Sequence, residues 1–345
     1  MAHLYVYSPS GAVSDRAAFR RAVRRLQKQG HEVEVDEAAL ARMQRFAGDE
    51  QTRLAAFARA AASGADAALI SRGGYGITRL LPALPYAQLQ SAIERGTRFV
   101  GLSDFTALQM ALLAQTGALT WAGPTLCADW GSADEPDEIM QACFDEMLSG
   151  EGEGVGWRLP APRPAKGAQP PALPDELHIE SAQLWGGNLA TLCALLGTPW
   201  LPKVQGGILF LEDVAEHPYR IERMLTQLLH AGVLHAQQAV LLGSFTDYRL
   251  GAQDRGFNLN EALAWLRTQT RTPILTGLPM GHVPTKVLLP VGAQVELALQ
   301  GRDALLVWGH LPAGQGSWQG RQSLACNCEG SGGDEAPGPA RKLLK

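Results

Sequence analysis

The stretch that constrains this chain most is residues 98–117. A short apolar run, Phe99 to Leu102, suits a buried strand. It passes at once into Ala107, Leu108, Met110, Ala111, Leu112 and Leu113, strong helix formers that point to a mostly buried helix stopped by Gly117. Ser103 stands at the joint. A serine on a tight strand-to-helix turn projects its hydroxyl beyond the sheet, and the helix N-terminus offers free N–H groups to a developing negative charge. That is the setting of a nucleophile. It is equally the setting of an ordinary N-cap, where serine is common. The Gly-x-Ser-x-Gly elbow is incomplete, because Phe105 occupies the place of the second glycine.

The same alternation runs through the first 150 residues. His3 to Pro9 reads as a strand, and Ser14-Asp15 caps a helix with apolar positions at Phe19, Val23 and Leu26. Glu32 to Val35 is a second strand, residues 49–63 a helix, and Ala65 to Ile70 a third strand. The central strand and helix follow, then a strand at Ala118 to Ala122 and a helix over 137–149. Strands alternating with helices imply an α/β domain with a parallel sheet covered on both faces. Ligands of such sheets bind beyond the carboxyl ends of the strands, which gathers Ser8, Arg72 to Gly76 and Ser103 on one rim.

Residues 151–176 change character. Gly, Pro and Ala dominate, as in Leu-Pro-Ala-Pro-Arg-Pro-Ala, and the stretch reads as an inter-domain linker. From 177 to 310 a second, smaller and β-rich domain is expected. It has a short apolar helix at Leu189 to Leu196 and a strand at Gly207 to Leu211 ending in Glu212-Asp213. Then come a helix from Pro218 to Leu229, a strand at Ala239 to Leu242 and a helix at Leu259 to Leu266. Val287–Leu289, Gln294–Leu299 and Ala304–Val307 alternate like antiparallel strands. Residues 311–345, rich in Gly, Ser, Pro and Ala, read as a disordered tail.

At 345 residues and 46% hydrophobic content the chain can bury two cores. A formal net charge of −4 argues against a nucleic-acid partner. The first residues lack the basic and apolar regions of a signal peptide, and no apolar run approaches a membrane span. The expectation is a soluble, cytoplasmic protein with no membrane partner. Of five cysteines, Cys127, Cys143 and Cys193 have apolar neighbours and read as buried thiols, while Cys326-x-Cys328 is a weak metal signal. No His-x-x-x-His or His-Glu-x-x-His pairing is present, so neither a metal site nor a cofactor is expected.

Arg72-Gly73-Gly74-Tyr75-Gly76 follows a strand; its N–H groups can form an anion nest, or it is an ordinary turn. Glu212 and Asp213 close an apolar strand, either as solvated residues or as site carboxylates. His282 lies in the Gly- and Pro-punctuated loop Thr-Gly-Leu-Pro-Met-Gly-His, and His217, His230, His235 and His310 compete with it for any catalytic role.

Taken together, these words resemble the LD-carboxypeptidases, also called muramoyltetrapeptide carboxypeptidases. The matching words are Arg-Phe-Ala-Gly at 45–48, Arg-Gly-Gly-Tyr-Gly at 72–76 with Arg79-Leu80-Leu81, and Gly-Leu-Ser-Asp-Phe-Thr-Ala at 101–107. Gly-Pro at 123–124, Leu-Trp-Gly-Gly-Asn-Leu-Ala at 184–190 and Gly-Thr-Pro-Trp at 197–200 follow. Leu-Glu-Asp with Glu-His-Pro at 211–218 and Thr-Gly-Leu-x-x-Gly-His at 276–282 complete the series, in the family's order from about residue 3 to residue 310. The resemblance implies a flavodoxin-like or class I glutamine-amidotransferase-like first domain and a smaller β-rich second one. It implies a serine peptidase whose nucleophile is Ser103, with Glu212 and His282 completing a triad split between the domains. The N–H of Asp104 and one from Gly73-Gly74 would meet the oxyanion. Arg72, Lys203 and Arg220 are candidates for binding an anionic muropeptide. The implied reaction is release of terminal D-Ala from a muropeptide tetrapeptide in cytoplasmic cell-wall recycling, by a homodimer. Two other readings share the fold: a microcin-C-immunity-like peptidase cleaving a peptidyl-nucleotide amide, and a non-catalytic ligand-binding protein.

Overall fold

The computed structural model describes residues 1–161 and 174–311. Most of the Pro-rich part of the expected linker, residues 162–173, and the tail from 312 onward, with Cys326 and Cys328, lie outside the described residues.

The first sheet starts with β1 (His3–Tyr7), α1 (Arg16–Lys28), β2 (Glu32–Val35), α2 (Glu50–Ala62) and β3 (Ala67–Ile70). It goes on through α3 (Tyr86–Glu94), β4 (Arg98–Gly101), α4 (Thr106–Thr116), β5 (Thr120–Ala122) and α5 (Glu138–Ser149). The helices begin where acceptors are available for their free N–H groups: Asp15 Oδ1 takes those of Ala17 and Ala18, and Asp49 Oδ1 that of Thr52. Gly117, left-handed at φ 72°, ends α4 as its sequence predicts.

The second sheet comprises β6 (Gly154–Arg158), β7 (Glu176–Asn188), β8 (Ile208–Val214), β9 (Ala239–Thr246) and β10 (Ile274–Thr276), with β12 (Gln294–Gln300) and β13 (Asp303–Val307). Helices α6 (Leu189–Cys193), α7 (Pro218–His230) and α8 (Leu259–Gln269) accompany it. The strand order is β10-β9-β8-β7-β12-β13-β6; β7 to β10 are parallel and the other pairs antiparallel. This is the mixed, β-rich architecture expected.

With β11 (Leu289–Val291), the first sheet runs β11-β5-β4-β3-β1-β2, and β1 to β5 are parallel. Its edge strand β11 arrives from far along the chain and pairs antiparallel with β5. The antiparallel reading of this segment holds, but its partner is in the first sheet, not the second. The segment 151–176 also differs from a plain linker, because β6 lies within it and forms an edge of the second sheet.

One apolar core lies between α1 and α5 and one face of the first sheet, around Phe19, Leu26, Val100, Trp130 and Phe144. The other face, under α2 to α4, belongs to a core that continues without a break into the second sheet and α7 and α8, from Phe57, Phe99 and Leu108 to Trp185, Leu211, Leu225 and Leu266. The two sheets therefore share packing on the α4 side, and that is where the carboxyl ends of β4, β7 and β8 converge.

Candidate active site

Ser103 follows β4 and opens a single 3-10 turn that leads into α4. Its φ is +70°, a conformation that L side chains rarely adopt. Strain of this kind persists where the surroundings over-determine it, typically at functional sites. Ser103 is partly exposed, whereas its neighbours Leu102, Asp104 and Phe105 are buried.

The Arg-Gly-Gly-Tyr-Gly loop lies against this turn. A Cβ added at Gly73 would stand 2.7 Å from Ser103 Cβ and 3.0 Å from its Oγ. Asp104 ties the turn to its surroundings: its Oδ2 accepts from Ser10 Oγ (2.5 Å) and from the N–H of Ile77 (2.9 Å). Burial raises the Asp104 carboxyl above the ordinary carboxylate value, against these hydrogen bonds, that of the Gly76 N–H and the nearby Arg53 charge. Arg53 is itself fully buried; it donates to Gly76 O (3.0 Å) and packs over the Phe46 ring at 4.8 Å. The Arg-Phe-Ala-Gly segment thus forms the floor of the loop, with Phe46 also touching the Tyr75 ring at 5.9 Å.

The helix that Ser103 leads into is docked on the second sheet. Gly187, in β7, has no room for a side chain, since a Cβ there would lie 2.4 Å from Thr106 Oγ1. The backbone N–H of Asn188 donates to that same Oγ1 at 2.9 Å. Asn188 Nδ2 then reaches both carboxylates of β8, Glu212 Oε1 at 3.2 Å and Asp213 Oδ1 at 2.9 Å. Adjacent residues of a regular strand face opposite ways. Here a register shift between β8 and β9 at Leu211/Asp213 interrupts the regular strand, and both carboxylates meet one amide.

Only Glu212 goes on to the histidine. Its Oε2 lies 2.8 Å from His282 Nδ1, and the carboxylate is completely buried while the imidazole is about a quarter exposed. Asp213 is occupied otherwise, accepting from the N–H of Val214 (2.8 Å) and of Ala190 (2.9 Å). Burial pushes its carboxyl up to about 6. For His282, burial alone would favour the neutral ring. The hydrogen bond and charge of Glu212, with the charge of Asp213, outweigh it, so the imidazole stands above its ordinary value of 6.5. His217 is engaged elsewhere, capping α7 with Nε2 3.2 Å from Asp254 and its ring against Tyr219.

The structure thus links Ser103, through Thr106 and Asn188, to the Glu212–His282 pair, with Gly73 against the serine. Arg72 borders the same loop and donates to Ala12 O and Ser14 Oγ at 3.4 Å each. Arg220 lies in the first turn of α7, beyond the carboxyl end of β8, paired with Glu216. Lys203 is not brought to this site. It lines a cleft of about 570 Å³ with Val204, Ala236 and Gln237, which precede β8 and β9, at the amino ends of the strands whose carboxyl ends carry Glu212 and Asp213. A lysine's charge can be read from sequence, but which end of a sheet its loop occupies depends on the topology. Asn188 and Thr106 lie within Leu-Trp-Gly-Gly-Asn-Leu-Ala and Gly-Leu-Ser-Asp-Phe-Thr-Ala, but their part depends on the docking of β7 against α4, which neither segment encodes by itself. Among the described residues no group of three or more His, Cys, Asp or Glu is placed to hold a metal ion. Nor is any helix there long and apolar enough to cross a membrane.

Residues 4–123 match the family model of the LD-carboxypeptidase N-terminal domain, and residues 181–297 that of the LD-carboxypeptidase C-terminal domain. A putative carboxypeptidase of Synechocystis sp. is 32% identical over 298 residues, 85% of this chain and 90% of that protein. The crystal structure of a muramoyltetrapeptide carboxypeptidase from Oxalobacter formigenes superposes with a TM-score of 0.79 at 36% identity, covering 90% of this chain and all of the other. The microcin C7 self-immunity protein of Escherichia coli is 26% identical over 248 residues, 67% of this chain and 70% of that protein.

Proposed function

The chain belongs to the LD-carboxypeptidase family, and from that membership and the site geometry we propose that it is a serine carboxypeptidase releasing terminal D-Ala from muropeptide tetrapeptides. The observation that carries the reading is the 2.8 Å contact between buried Glu212 and His282 Nδ1. A carboxylate at Nδ1 fixes the tautomer with the proton on that nitrogen and leaves Nε2 as the base. The strained turn at Ser103, on the segment docked against Asn188, supplies the nucleophile.

In this mechanism His282 Nε2 takes the hydroxyl proton of Ser103 as Oγ attacks the carbonyl of the L,D bond. The imidazolium so formed is stabilised by Glu212. The N–H of Asp104 and an N–H of Gly73-Gly74 receive the oxyanion, a contribution usually worth about 3–4 kcal/mol per donor. His282 then gives its proton to the amine of departing D-Ala, and water repeats the sequence to free the acyl group from Ser103. Arg72 and Arg220, at the loop and at the end of β8, are the proposed partners of the substrate carboxylates. No metal or cofactor is needed for these steps. Cytoplasmic peptidoglycan recycling and a homodimeric state belong to the same proposal.

The test is incubation with L-Ala-γ-D-Glu-meso-diaminopimelate-D-Ala and mass detection of free D-Ala, with Ser103→Ala as control. Release by the wild type and none by the variant is the expected result. Release undiminished in Ser103→Ala would overturn the serine mechanism. Cleavage of an aminoacyl sulfamoyl nucleoside, with the tetrapeptide left intact, would favour the peptidyl-nucleotide reading that the microcin immunity relative suggests. If neither is cleaved and a fluorophosphonate probe fails to label Ser103, the protein is a binding protein of this fold.

A further inference from the structure

The loop that bears His282 belongs to both sheets. It leaves β10 at Thr276 in the second and reaches β11 at Leu289 in the first. Its early part is held by β9: the N–H of Leu278 donates to Leu242 O (3.2 Å) and that of Ser244 to Met280 O (2.8 Å). Its late part is held by segments of the first domain. Lys286 Nζ bonds Asp129 Oδ1, and Thr285 Oγ1 donates to Asp137 Oδ2 at 2.6 Å. His282 stands between these two sets of contacts.

Both acceptors are themselves fixed. The second oxygen of Asp129 takes the N–H of Thr125 at 2.7 Å, and the second oxygen of Asp137 caps α5 through the N–H groups of Ile139 and Met140. The side chains of Lys286 and Asp129 are only 3% and 4% exposed. A buried ion pair is a poor stabilising device, because desolvation opposes the attraction. Its geometric consequence is more specific. Glu212 registers the imidazole to the second sheet, and reaches the helix after Ser103 only indirectly, through Asn188 and Thr106, whereas Lys286 ties the histidine's own loop directly to the first domain at Asp129.

We propose that Lys286 and Asp129 are positioning residues, a buried latch that holds the His282 loop to the first sheet so that the imidazole keeps one place relative to both domains. The catalytic meaning of the latch rests on the triad proposed above. It also has an electrostatic signature. The charges acting on His282 are Glu212 and Asp213 from β8 and Lys286 from its own loop, and Lys286 opposes the other two. Removing Lys286 should make the imidazole hold its proton more tightly. Removing the charge of Asp129 while Lys286 stays should do the reverse. A role confined to packing would not produce shifts of opposite sign.

The experiment uses the full chain and the variants Lys286→Met, Lys286→Arg and Asp129→Asn. The titration of His282 is followed by NMR, its signal assigned by loss in His282→Gln, and kcat and KM are measured on the tetrapeptide. Lys286→Met and Asp129→Asn should each lower kcat roughly tenfold or more with little change in KM, since small misplacements of a catalytic group cost rates of this order. The His282 midpoint should rise in Lys286→Met, fall in Asp129→Asn, and stay near wild type in Lys286→Arg. Unchanged kcat in Lys286→Met and Asp129→Asn, or midpoints that do not move or move the same way, would overturn the latch. If Lys286→Met does not fold, the sign of the Asp129→Asn shift decides. If the wild type leaves the tetrapeptide intact, the substrate reading fails, and the His282 titration still tests the latch.

Discussion

Gly73 and Ser103 are in van der Waals contact across two loops, so close that a methyl at Gly73 would lie 2.7 Å from Ser103 Cβ and 3.2 Å from Leu102 O. The loop cannot easily withdraw, because Gly73 O accepts from the N–H of Gly11 at 3.2 Å. Gly73→Ala should therefore displace the serine or the loop's N–H groups. Overpacking of this kind costs about 1–3 kcal/mol. Loss of an oxyanion donor lowers kcat roughly 100-fold or more. Steady-state kinetics and a urea midpoint check both; a wild-type kcat would detach this loop from the reaction.

The +70° φ of Ser103 makes a prediction that separates strain from chemistry. A left-handed conformation costs a non-glycine residue roughly 1–2 kcal/mol. Ser103→Gly should thus be more stable than Ser103→Ala by about 1 kcal/mol, net of glycine's greater freedom in the unfolded chain. Both variants should be inactive. Urea denaturation of the pair measures the difference, and equal midpoints would mean that the turn carries no strain.

Asp213 should matter for structure more than for rate. Its carboxylate accepts from Asn188 Nδ2 and the N–H groups of Val214 and Ala190. Asparagine keeps one acceptor oxygen, so Asp213→Asn leaves the Ala190 N–H or the Asn188 amide without its partner, at about 1–3 kcal/mol. Asn188 also bonds Glu212, so a modest fall in kcat is expected, far smaller than for loss of Glu212 itself. Parallel thermal melts and kinetics on Asp213→Asn and Glu212→Gln test the ranking.

Much of this arrangement is legible in the chain because it is written locally. The apolar run before Ser103, the caps at Asp15 and Asp49 and the stop at Gly117 each fix their own element. What escaped local reading has a common cause. β11 is three residues with a central proline, and nothing in Leu-Pro-Val says that its partner is β5, more than 160 positions earlier. β6 is short and glycine-rich, and is a strand only because β13 lies beside it. α3 begins at Tyr86 behind Pro85, which offers no side-chain cap, so the usual start signal is missing. The Lys286–Asp129 pair joins residues 157 positions apart. Pairings of this kind are decided by topology, and they carry the histidine loop from one sheet to the other.

The Glu212–His282 contact predicts a pH dependence with a definite sign. The pKa of His282 is raised above 6.5 in the folded protein, burial being more than offset by Glu212 and Asp213. A base must be neutral, so kcat/KM should fall as pH drops through a midpoint above 6.5. Linkage gives the stability counterpart. A raised histidine pKa contributes stability that is fully present below the unfolded value and is lost as pH rises through the folded one. Glu212→Gln removes the Coulomb attraction and leaves at most a weaker, neutral-acceptor hydrogen bond to the ring, against burial, which favours the neutral form. The acid limb should then move to lower pH, and the stabilising contribution below neutrality should disappear. kcat should fall roughly 10⁴-fold, as when the orienting carboxylate is lost from a serine protease triad. The profile of kcat/KM against pH, with urea midpoints on either side of neutrality, checks all three for wild type and variant. An acid limb that stays in place in Glu212→Gln would show that another group sets the proton affinity of the base, and the triad assigned here would be wrong.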